Sequence, residues 1–145
     1  MNIRYHSRYH PVLITEDFLE NYHKETGLEY DASEDDRYFE ITCLDYFNLP
    51  DVGEVGIYIF GKETEPPHFH LIGVKFETAI GIFEPRYFHE NSDKLNKFQI
   101  AELNFVLTNK INSYKDTIWK CLVFNWNDFY DTNYEYNIPD YTQLD

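Results

Sequence analysis

Apolar residues recur at every second position through the middle of the chain and at every third or fourth beyond it, and this change of period divides the protein. The alternating part predicts strands over residues 38–47, 54–60, 68–74 and 76–83, rich in aromatic and β-branched residues. A turn at Pro50-Asp51-Val52-Gly53, a longer loop over 61–67 and a tight turn at 73–75 join them into an antiparallel meander. In the last two strands Phe76, Thr78, Ile80 and Ile82 share one face, and His68, His70, Ile72 and Val74 share a face.

Beyond residue 93 the helical spacing takes over. Ile100, Leu103, Leu107 and Ile111 recur along one side, and Asn96 followed by Gln99 forms a capping box, predicting a helix over 97–112. A second helix is assigned to 114–125, although Ile118, Lys120, Leu122 and Phe124 also fit a strand. Trp119 and Trp126 are expected to pack this helix onto the sheet, with an aromatic recognition patch as the competing reading. Near the N-terminus a short helix is expected over 15–27, with Thr15 as cap, Phe18, Leu19 and Tyr22 as its apolar stripe and Gly27 as its stop. The tail from 127 has no helical period, and its order is expected to come from its aromatics. These elements make an α+β fold: an antiparallel sheet of about four strands packed against C-terminal helices, with a short N-terminal helix.

The 145 residues suffice for a single domain with its own core. It divides into an N-terminal extension (1–53), a central unit (54–126) and a tail (127–145). The core material is unusual: thirteen Tyr and twelve Phe stand against one Met, so packing is done by rings. Cys43 and Cys121 lie far apart inside apolar runs, which predicts buried free thiols and a reducing, cytoplasmic setting. No run has the length of a membrane span and no apolar leader opens the chain, so no membrane association is expected.

Charge narrows the partners. A formal charge of −14 opposes phosphate backbones, so direct nucleic-acid binding is not expected, and it favours a basic protein partner. The acids are unevenly placed: residues 28–57 hold nine against the single Arg37, and neither Lys nor Arg follows Lys120. The tail could therefore mimic a nucleic-acid strand in a partner's basic groove, with ordinary disorder as the plainer reading.

One motif carries candidate chemistry. In Pro66-Pro67-His68-Phe69-His70 the double proline favours extended backbone, and an extended His-x-His pair sends both rings to one side with Cα atoms roughly 6.6 Å apart. Such a pair suits a divalent metal (Zn, Mn or Fe) if Glu65, Glu77, His89 or Glu90 supplies a further ligand. It equally suits a structural role in which a ring nitrogen binds a backbone carbonyl.

The strand Gly56-Ile57-Tyr58-Ile59-Phe60, the loop into Pro66-Pro67-His68-Phe69-His70-Leu71, a second strand pair and an amphipathic helix resemble the bacterial family called domain of unknown function 4160, whose hallmark is a PPHxHV segment. The resemblance covers roughly residues 54–126, with Leu71 standing where valine is usual. It implies a compact α+β protein acting beside a small partner in a toxin–antitoxin-like arrangement, and it supplies no reaction. Two functions are thus expected in competition. The first is a small acidic interaction module, an inhibitory or antitoxin-like partner of a basic protein. The alternative is a metal-dependent hydrolase or nuclease-like enzyme with His68 and His70 as its catalytic candidates. The free edges of the meander would also allow a homo-oligomer.

Overall fold

The computed structural model describes residues 2–4, 12–14, 41–60, 66–88, 92–111, 116–134 and 137–144. Strands β1 (Asn2–Arg4) and β2 (Val12–Ile14) form an antiparallel pair that the alternation did not reveal, and β2 lies beside β3. The main sheet is antiparallel in the order β3 (Ile41–Leu49), β4 (Gly53–Phe60), β5 (His68–Gly73) and β6 (Phe76–Gly81). Helices α1 (Lys97–Asn109) and α2 (Ile118–Tyr130) follow it, and a 3₁₀ turn, η1 (Tyr141–Gln143), packs on α1. The architecture is the expected α+β meander with C-terminal helices. The helix expected over 15–27 lies outside the described residues. Among the described residues no helix is long and apolar enough to cross a membrane.

Local chemistry explains the joints. At the β3–β4 turn Val52 N–H closes onto Leu49 C=O (3.1 Å), with Pro50 leading in and Asp51 in the left-handed region (φ 65°). Within β3 the register slips between Cys43 and Asp45, leaving Leu44 as the extra residue of a bulge. The slip sends Cys43 to the side of Tyr58 and Asp45 to the side of Ile57, so two residues that strict alternation would align are parted. Asp45 then meets Lys110 at 2.9 Å, and the same ammonium donates to Tyr46 C=O at 3.1 Å, tying the end of α1 to the bulge.

The core gathers Val55, Ile57, Ile59, Phe69, Leu71, Ile80 and Ile82 of the sheet with Leu103, Val106 and Leu107 of α1 and Ile118, Trp119, Leu122, Val123 and Trp126 of α2. Helix α1 starts where the capping box places it: Asn96 Oδ1 accepts from Gln99 N–H (2.9 Å) and Gln99 Oε1 accepts from Asn96 N–H (2.8 Å). It ends at Asn109, short of the expected 112. Lys110 is already extended, and Ile111, expected in the apolar stripe, is exposed and bridges to Thr117. The second segment is helix and not strand, but it starts later and runs further than expected, to Tyr130, where the Trp126 and Tyr130 rings stack one turn apart (4.1 Å between centroids).

The outer edge of β6 is closed by the protein's own chain. The outward N–H groups of Glu77, Ala79 and Gly81 donate to Asp93 Oδ2, Ser92 Oγ and Arg86 C=O. Their carbonyls accept from Asp93 N–H, Phe88 N–H and the Tyr141 hydroxyl. An edge that the meander left open for pairing with another chain is therefore spent internally.

Candidate functional site

Strand β5 sets the histidine pair as alternation requires. Phe69 and Leu71 enter the core, and His68 and His70 point to the opposite side, their ring centroids 5.1 Å apart. The pair thus shares one face of a β-ribbon. Both residues are fully buried. His68 Nδ1 lies 2.9 Å from Pro66 C=O; a carbonyl only accepts, so Nδ1 carries a proton and donates it. Phe88 lies flat on His68 at 3.6 Å and 7°, and the Trp126 indole is 5.6 Å away. A ring held by its own strand entry and covered by two aromatics is arranged for packing, because neither water nor substrate reaches it.

Across the sheet the pair continues into a polar row. His70 is flanked by Tyr58 and Ala79, and Tyr58 by Cys43. The Tyr58 ring lies over Gly56, where a Cβ would come within 2.5 Å of it, and its hydroxyl meets that of Tyr46 at 3.3 Å. Glycine is needed there for space. Burial pushes the Cys43 thiol up to about 12 and raises the Tyr58 phenol well above its ordinary value, so both stay protonated at neutral pH. Cys43 is thereby an inert packing thiol, not a nucleophile.

This yields a prediction with a definite sign. Cys43, Tyr58 and Tyr141 are all buried with raised folded-state values, so their contribution to stability is complete below their ordinary values and is lost as pH rises toward the folded ones. For Cys43 the window opens near 9.0 and closes at about 12. Urea unfolding is expected to show stability falling by about 1.4 kcal/mol per pH unit for each group in its window. A flat stability between pH 9 and 11 would contradict this burial. At neutral pH neither buried cysteine should react with a thiol reagent until the protein unfolds.

The other proposed ligands divide into two groups. Glu77 stands on the histidine face, opposite Ile72 on β5, and its backbone N–H is held by Asp93. Glu65, His89 and Glu90 lie outside the described residues. Among the described residues no three His, Cys, Asp or Glu side chains gather closely enough to hold a metal ion.

A second candidate site is the C-terminal surface, and it is organised. Asn127 acts as a clamp: its Oδ1 accepts from Thr132 Oγ1 (2.8 Å) and Tyr134 N–H (3.0 Å), and its Nδ2 donates to Tyr134 C=O (3.1 Å). Further on, Tyr141 is fully buried and donates to Ile82 C=O (2.7 Å), which also receives Trp119 Nε1–H (2.9 Å). Asp140 caps η1 through Thr142 N–H and Oγ1, and these bonds hold its exposed carboxyl below the usual carboxylate range. Between these anchors lie the exposed acids Asp128, Asp131 and Asp140 with Tyr134 (37% exposed) and Ile138 (47%), and Phe124 (51%) is exposed on α2 just before Asn127. The composition of the tail allows partial order through its aromatics and ordinary disorder alike. What sequence reasoning missed was the particular anchor, since one Tyr among thirteen carries no distinguishing pattern.

No family model, curated protein or solved structure matches the chain.

Proposed function

We propose that this chain is a small acidic interaction module that engages a basic protein through its C-terminal surface. One observation carries the reading: exposed acids and exposed apolar side chains share a segment pinned at both ends, by Asn127 and by Tyr141, with Phe124 exposed just before it. Pinning matters because a pre-ordered surface loses little conformational entropy on binding. The apolar members supply buried area, and the acids, within a chain of −14, attract and orient a cationic partner. The resemblance to the domain of unknown function 4160 family supports an antitoxin-like or inhibitory role beside a small partner, in the cytoplasm. A metal-dependent hydrolase draws no comparable support, because both rings it needs are fully buried and that of His68 lies under Phe88 and beside Trp126.

Co-expression with the product of the gene next to its own, followed by purification at low salt, tests the proposal. A stoichiometric complex is expected, and both Phe124→Ser and the triple change of Asp128, Asp131 and Asp140 to Asn should weaken it with folding intact. Absence of a complex at low salt, or a complex indifferent to both variants, would overturn the reading.

A further inference from the structure

Beside the double proline lies a cavity of about 430 Å³. Its walls include Phe83, Tyr87, Phe88 and Tyr134, and its floor includes Pro67 and Gly81. Each wall is fixed by a contact outside the cavity. Phe88 lies on His68, Phe83 stands edge-on to Trp119 (5.9 Å) and against Tyr134 (5.0 Å), and the Tyr87 hydroxyl accepts from Leu95 N–H (2.8 Å). The floor is equally set, with Ile82 N–H on Pro67 C=O and Gly81 N–H on Arg86 C=O, both 2.9 Å. A preformed cavity of this size lined by rings suits a small flat molecule.

The polar members choose its charge. Glu84 and Arg86 line the same cavity, their side chains exposed at 70% and 75%; Arg86 N–H donates to Glu84 C=O (2.8 Å), while the charged groups meet through a long 3.7 Å contact. So weak a surface pair is readily exchanged for ligand groups. A net anion would meet the field of a chain of −14, and a net cation would meet Arg86. A zwitterion meets neither penalty. We infer that this cavity binds a free aromatic α-amino acid, its ring among the four aromatic walls, its carboxylate on the Arg86 guanidinium and its ammonium on the Glu84 carboxylate. This site is separate from the C-terminal protein-binding surface, although Tyr134 borders both.

Calorimetric titration with L-tryptophan, tryptamine and indole-3-propionate tests the inference on the intact chain. L-tryptophan is expected to saturate one site, with the two singly charged analogues about tenfold weaker. Arg86→Ala should weaken L-tryptophan by a similar factor without weakening tryptamine. Glu84→Gln should weaken L-tryptophan without weakening indole-3-propionate. Both side chains are exposed, so the variants should melt as the parent does. No saturation by about 10 mM, any other order among the three ligands, or indifference to both variants would overturn the assignment.

Discussion

Replacing Tyr141 by alanine is expected to lower the unfolding free energy by about 3–4 kcal/mol, the cost of emptying a buried aromatic site. In a chain of this length that shifts the melting temperature by about 10 °C. The ring is fully buried and meets Phe69 edge-on at 6.2 Å, and its hydroxyl spans the last carbonyls at the β6 edge, Gly81 and Ile82. Tyr141→Phe should cost only about 1 kcal/mol, because Ile82 C=O keeps the Trp119 indole as donor. The alanine variant should also release the tail to limited proteolysis after Tyr130 and weaken partner binding, although its charge is unchanged. Urea titration and proteolysis read both effects. A Tyr141→Ala protein as stable as the parent would remove the pin on which the organised tail depends.

The second large effect concerns the histidines. His68→Ala should cost about 3 kcal/mol, since it removes a ring stacked on Phe88, a contact with Trp126 and the hydrogen bond to Pro66 C=O. His68→Phe should recover most of that loss. It keeps a flat ring on Phe88 and gives up one bond to a carbonyl on an exposed residue. A structural imidazole is thus replaceable by an apolar ring, whereas a metal ligand or proton carrier is not. Comparing the melting temperature and metal content of the two variants with the parent separates these roles. Normal stability in His68→Ala, with loss of a bound metal in both variants, would return the pair to chemistry.

Much of the scaffold was legible because its signals are local. Asn96 and Gln99 announce the start of α1 through reciprocal side-chain bonds, and Pro66-Pro67 commits the backbone to the extended form that aligns His68 with His70. The turn at Pro50 and Asp51 likewise depends on residues within four positions. What escaped depends on distant partners. The bulge at Leu44 is a register choice between two strands, and the closing of the β6 edge mixes backbone groups of Arg86, Phe88 and Asp93 with the side chains of Ser92, Asp93 and Tyr141, which share no sequence period. Helix α2 outruns its expected end because a ring pair, Trp126 and Tyr130, extends it through Asn127 and Asp128, residues of weak helix propensity. For the histidines, spacing gave the shared face, but the covering of His68 rests on Phe88 and Trp126, 20 and 58 positions beyond it in the chain.

The function turns on whether an ordered, acidic, ring-bearing surface captures a cationic protein. The most direct measurement is the association rate constant with the neighbouring gene's product, followed from about 50 to about 500 mM salt for the parent and for the triple Asp128, Asp131 and Asp140 to Asn variant. The account predicts a fall of about tenfold or more for the parent and a much shallower fall for the variant, because the acids steer the encounter. A rate insensitive to salt in the parent, or the same slope in both proteins, would contradict it.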